Sequence, residues 1–126
     1  MQLEFTADEV AFRDEVRAFL ATSYPAELRA KQDAGIELGK EDFLGWHRIV
    51  ARKGWSVPAW PVEYGGTGWT ATQRFIWAEE QWRAGTVPII AFSVNLVGPV
   101  IYTFGTPEQK ARFLPGIVDG NVWWCQ

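Results

Sequence analysis

Few residues of this chain are equipped to do chemistry by themselves. His47 is its only histidine and Cys125 its only cysteine. A histidine acts as a general base when it sits within reach of the group it deprotonates. No Ser or Cys has a readable relation to His47, which follows Trp46 in a helical pattern, so a partly exposed surface histidine is expected. Cys125 has no basic neighbour in sequence to lower its pKa, and a buried structural thiol is expected there. Glu79 and Glu80 form a carboxylate pair, but adjacent residues on a helix point about 100° apart. Arg83 follows Glu79 by four residues, which favours a surface ion pair. The Gly65–Gly68 stretch, GGTG, is no phosphate cradle, because no Lys-Ser/Thr follows it and no strand precedes it. What remains is apolar. Pro88, Phe92 and Leu96 fall on one helical face at spacings of four. Such a stripe builds either an ordinary core or the wall of an apolar pocket, and spacing alone leaves both open.

The elements that must position these residues are legible from their start and stop signals. Thr6-Ala7-Asp8-Glu9, Thr70-Ala71-Thr72-Gln73 and Thr106-Pro107-Glu108-Gln109 are three capping boxes. After the first, Phe12, Val16, Phe19 and Leu20 mark one face of a helix that ends at Tyr24-Pro25. A short helix over 26–34 and another over 40–53 are expected next, the latter closed by Gly54. The helix from 70 to 84 is expected to turn Phe75, Ala78 and Trp82 to one side and Glu79, Glu80 and Arg83 to the other. Pro88 opens a helix over 88–97, Gly98-Pro99 kinks or restarts it, and the helix after Thr106 is expected to break at Pro115. Between the helical patterns lies GWSVPAWPVEYGGTGW (54–69), in which Gly and Pro alternate with aromatics rather than with Ser. That composition reads as a fixed, packed loop, not a flexible linker.

Composition bounds the function classes. The 126 residues are 48% hydrophobic and 21% charged, as in an ordinary globular domain. A net charge of −3 leaves no basic footprint for nucleic acid. Residues 84–104 carry no charge, but Pro88, Gly98 and Pro99 interrupt them and Ser93, Asn95 and Thr103 add polar side chains, so buried helices are expected rather than a membrane span. The acidic start, MQLEFTADEV, lacks a signal-peptide core, and the lone cysteine fits a reducing compartment; a cytoplasmic location is expected. The fold expected is all-α. Residues 1–120 form the helical domain, and 121–126 (NVWWCQ) read as a strand beginning. With no partner strand in sight, that run reads as the entrance to a β domain of a longer protein.

Four landmarks occur in order along the whole chain: WPVEYGGTG (60–68), Glu79-Glu80, GTPEQK with FLP (105–115), and Trp124-Cys125-Gln126. Together they resemble the N-terminal domain of the acyl-CoA dehydrogenases. VGPVIYTFG (97–105) with EQKARFLP (108–115) resembles the pimeloyl-CoA dehydrogenase large-subunit type, a pattern shared by steroid-degrading relatives.

The resemblance implies an all-helical N-terminal domain followed by a middle β-barrel and a C-terminal helical bundle. It implies FAD as cofactor, an acyl-CoA substrate, and a catalytic Glu that removes the α-proton while the β-hydrogen leaves as hydride. That Glu and most flavin contacts belong to parts of the family not matched here, so residues 1–126 alone are expected to be inactive. Cys125 and Gln126 match the start of the flavin-binding segment, and Pro88, Phe92 and Leu96 match positions lining the acyl-chain pocket. An electron-transfer flavoprotein-like acceptor and a homo- or hetero-oligomer are implied as well. Two other readings of the residues compete: a free-standing helical interaction module using exposed aromatics, and a Trp-rich carbohydrate-binding module.

Overall fold

The computed structural model describes residues 4–125. Among them every regular element is helical and none is a strand: α1 (Ala7–Ser23), α2 (Ala26–Asp33), α3 (Lys40–Arg52), a 3-10 turn (Val62–Tyr64), α4 (Ala71–Ala84), a π-helical turn (Ser93–Val97) running directly into α5 (Gly98–Phe104), and α6 (Pro107–Val118). The three capping boxes form as their sequences require. Thr6, Thr70 and Thr106 each accept from the third helical N–H, and Glu9, Gln73 and Gln109 each return the bond. Gly54 and Gly85 follow α3 and α4 with φ of +83° and +62°, a conformation that costs glycine nothing.

The core has two compartments, and the 54–69 loop supplies side chains to both. The first gathers Val16 and Leu20 of α1, Leu28, Trp46, Val50 and Trp77 around Trp55. Phe19, Trp69 and Trp77 meet the Trp55 ring edge-on at centroid distances of 5.1, 5.2 and 5.3 Å, the arrangement that aromatic quadrupoles favour. The second gathers Val94, Leu114 and Ile117 around Val57 and Trp60. The loop is therefore a packed element, as its composition predicts. Its glycines show why: Gly65 and Gly68 have positive φ, and a Cβ on Gly66 would overlap the Trp60 carbonyl.

Four expectations need correction. His47 is fully buried, with its Nε2 donating to the carbonyls of Ile117 (3.0 Å) and Val118 (3.1 Å) at the end of α6, where the Gly120 N–H and the Ser56 hydroxyl also donate. On α4 the faces are exchanged: Ile76, Trp77 and Glu80 are buried, while Phe75 and Trp82 stand exposed. A bidentate ion pair with Arg17 of α1 (2.8 and 2.9 Å) satisfies Glu80 in that position. Glu79 and Arg83 do form the expected i, i+4 pair, at 2.8 Å. Pro88 does not open a helix; it lies in the non-helical segment 86–90, and helix begins at Ala91. Finally, α6 continues through Pro115 to Val118. Its last carbonyls are taken by His47 and by the Ser56 hydroxyl, which donates to Val118 at 2.8 Å.

Candidate substrate-facing site

Residues 91–104 of the uncharged segment form one helical rod with an irregular turn at Ser93–Val97. The N–H of Gly98 reaches back five residues to the Ser93 carbonyl, which widens the turn. In that wider register the Val94 carbonyl would be served by the N–H of residue 99, but residue 99 is proline and has none. The Trp60 indole fills the vacancy, donating from Nε1 to the Val94 oxygen at 2.8 Å in a buried setting. Gly98 is the only residue that fits below it, since a Cβ there would overlap the Trp60 ring. Ser93, also buried, accepts from the Trp124 N–H at 3.0 Å and so ties the 121–125 run to the same turn.

Leu96, Val100 and Phe104 project from this rod in steps of four and are 55%, 59% and 81% exposed. Phe92 continues the stripe and is half-buried, and Pro88 is exposed ahead of it. None of the five belongs to either core compartment. Beside Val100 and Phe104 lies an apolar groove of about 330 Å³, closed by Ile101, Phe113 and Trp124. No charged side chain stands between residues 84 and 104. The stripe is therefore suited to holding an apolar body and carries no group that moves a proton.

Two polar contacts steady the approach to it. The Tyr24 hydroxyl donates to Gln32 at 2.8 Å and accepts from the Val87 N–H at 3.1 Å, which pins the start of the 86–90 segment. Burial raises the Tyr24 pKa, so this clamp stays neutral. Arg29 donates to the Ala84 and Gly85 carbonyls at the end of α4.

The expected flavin contacts fall at the other end. Cys125 is exposed, not the buried thiol expected from its neighbours, and Gln126 lies outside the described residues. Trp124 turns inward, 5.5 Å from Phe113, whereas Trp123 and Cys125 lie exposed on either side of it in sequence. Residues 121–125 take no helical or strand form. Among the described residues no cluster of His, Cys, Asp or Glu is arranged to hold a metal, and no helix is long and apolar enough to cross a membrane.

The chain matches the family described as "Acyl-CoA dehydrogenase, N-terminal domain" over residues 6–121. It belongs to that family. This acyl-CoA dehydrogenase domain is 36% identical over 120 residues to acyl-CoA dehydrogenase IpdE1 of Mycolicibacterium smegmatis, covering 91% of the chain and 31% of the relative. It is 34% identical over 126 residues to FadE26 of Mycobacterium tuberculosis, covering 97% and 31%. Among solved structures it superposes on the ChsE4-ChsE5 complex from Mycobacterium tuberculosis with a TM-score of 0.79 at 32% identity, covering 97% of the chain and 30% of that one. On the Tcur3481-Tcur3483 steroid ACAD the TM-score is 0.80 at 34% identity, covering 98% and 32%. The chain thus spans about a third of the length of the curated relatives it matches.

Sequence reasoning named Pro88, Phe92 and Leu96 but stopped at residue 97. It missed Val100 and Phe104, which continue the same four-residue spacing, and Trp60, whose role depends on a hydrogen bond across 34 residues. The signal for the first two was present: 92, 96, 100 and 104 are all apolar.

Proposed function

We propose that this domain forms the acyl-facing wall of a FAD-dependent acyl-CoA dehydrogenase that introduces an α,β double bond into an acyl-CoA thioester. The observation that carries the reading is the outward, uncharged stripe of Leu96, Val100 and Phe104 on the rod that resembles the family's acyl-pocket helix. A large apolar surface held out by a rigid helix is costly in water and calls for an apolar occupant. Pro88, Phe92 and Leu96 are the substrate-binding residues in this reading, and their task is to exclude water and orient an apolar acyl group.

Bound FAD supplies the hydride acceptor for this chemistry. What fits it here is the exposed edge of the 123–125 run, where Trp123 and Cys125 leave a surface open to a large planar group while Trp124 is anchored inward. Cys125 and Gln126 are the positions proposed to meet it. No residue of the stripe can take the α-proton, so the base comes from elsewhere, and residues 1–126 alone are inactive. An electron-transfer flavoprotein-like acceptor takes up the electrons.

A hetero-oligomer is the favoured assembly. Two of the solved structures that resemble this chain carry paired names, and α4 presents Phe75 and Trp82 to the outside. Expressing the complete gene product with any neighbouring dehydrogenase subunit tests the whole reading. A yellow complex that reduces an artificial electron acceptor with acyl-CoA thioesters is expected. A complex with no flavin, or with flavin and no turnover on any acyl-CoA, would overturn it.

A further inference from the structure

Outward positions four apart do not stay aligned on a regular helix. They drift about 40° per step, because four residues turn 400° at 3.6 residues per turn. Over Phe92, Leu96, Val100 and Phe104 that drift would reach about 120° and wrap the stripe around the rod. The π-helical turn at Ser93–Val97 takes part of it back by adding backbone to one turn. Such a turn is held only if its displaced carbonyl finds a partner, since a buried, unpaired carbonyl is costly. Here the partner is Trp60, and the fit is exclusive on both sides: Pro99 has no N–H to offer the Val94 carbonyl, and Gly98 has no Cβ to block the indole.

We propose that Trp60 is a positioning residue for substrate recognition: its indole N–H, by holding the Val94 carbonyl, locks the widened turn and so fixes which side chains of the rod face the acyl group. Release of that bond lets the Gly98 N–H return to the Val94 carbonyl in the ordinary four-residue register. The residues before Gly98 then rotate by one helical step, about 100°, relative to Val100 and Phe104. Val97, half-buried against the second compartment, moves into the place that Leu96 holds, and Ser93 turns away from the Trp124 N–H. Trp60 thereby also governs how the 121–125 run is seated, because Ser93 is the tether. The functional half of this inference rests on the dehydrogenase reading; the register half does not.

The test uses thiol accessibility on the full chain with Cys125 replaced by serine. Leu96→Cys and Val97→Cys are each prepared with Trp60 intact and with Trp60→Phe, which keeps an aromatic ring and removes the donor. Labelling with iodoacetamide should run several-fold faster at position 96 than at 97 with Trp60 present, and the order should equalise or reverse in the Trp60→Phe background. An unchanged order in a cooperatively melting Trp60→Phe chain would overturn the proposal. Hydrogen exchange of the unsubstituted protein gives a reading that no folding failure of a variant can remove. The Trp60 indole N–H and the Gly98 amide should open with the same protection, and an indole that exchanges freely while Gly98 stays protected would overturn the lock. In the complete gene product, Trp60→Phe should raise KM for bulky acyl-CoA thioesters with little change in kcat. If the register shifts as described and KM does not move, the lock stands and the acyl-facing reading of the stripe falls.

Discussion

The Nε2 of His47 on α3 donates to the Ile117 carbonyl at 3.0 Å, so one helix closes the C-terminal end of another 70 residues away. Both contacts of that nitrogen are to carbonyls, which fixes the proton on Nε2 and leaves Nδ1 as a bare lone pair. Nδ1 is buried and has no partner. Protonating it would place a charge and an unsatisfied donor in the interior.

Burial accordingly lowers the His47 pKa, and the carbonyls of Val118 and Ile117 only partly oppose the shift. Arg48 adds to the lowering and Asp119 opposes it. The folded state then binds the proton more weakly than the unfolded chain, whose histidine titrates near 6.5. Stability is complete above about pH 6.5 and falls as the pH drops through that value toward the lower, folded pKa. Urea midpoints measured from pH 8 to pH 5 should show this fall, and His47→Gln, which keeps a donor without a titratable group, should flatten it. His47→Ala should cost about 2–5 kcal/mol, because it empties a fully buried ring site and removes one of the donors at each carbonyl, Ser56 and Gly120 remaining.

Two glycine substitutions should have opposite signs. Gly45 lies within α3 with nothing near its missing Cβ, so Gly45→Ala should stabilise by about 0.5–1 kcal/mol through helix propensity. Gly98 also sits in a helical setting, but its missing Cβ is occupied by the Trp60 ring. Gly98→Ala should destabilise by about 1–3 kcal/mol, the usual cost of overpacking. Chemical denaturation of the two variants side by side checks both.

Arg17 and Arg83 both pair with glutamates of α4, yet they should not be equivalent. Glu79, the partner of Arg83, is partly open to solvent, whereas Glu80, the partner of Arg17, is 5% exposed. Arg17→Met strands a buried carboxylate, while Arg83→Met exposes one that water can serve. The first should lower the melting temperature clearly more than the second, and the difference should shrink in Arg17→Met/Glu80→Gln.

Leu96→Ala separates binding from folding. Half of this side chain is already in water, so its removal should leave the melting temperature nearly unchanged. In the complete gene product it should change the preference among acyl-CoA thioesters by roughly 10–200-fold in kcat/KM, the range open to an apolar pocket. Phe92→Ala, being half-buried, should show the same shift together with a measurable loss of stability. A Leu96→Ala enzyme with unaltered preference and a large fall in melting temperature would remove the residue from the site.

The fold was legible where local chemistry decides it. Thr-x-x-Glu/Gln boxes, Gly after helices and aromatics in the 54–69 loop each act within a few residues, and each forms as read. The errors arose where a distant residue overrides the local pattern. Glu80 looks like a surface residue until Arg17 arrives from α1, and His47 looks idle until the end of α6 needs a donor. Pro115 looks like a stop, but α6 passes through it. The exposed apolar stripe was half legible: its period is in the sequence, whereas the π-helical turn that takes back part of its drift depends on Trp60 meeting Val94.

Trp55 and Trp60 are five residues apart, and each is the hub of a different core compartment. Neither compartment can therefore melt and leave the other whole, because the peptide joining them would be dragged out by its own anchor. The domain should behave as one cooperative unit despite its bipartite interior. Mechanically the loop is a rivet through two plates. Severing the backbone between Ser56 and Ala59 would uncouple them, and a nick in that short stretch should be more damaging than one at any other turn in the molecule.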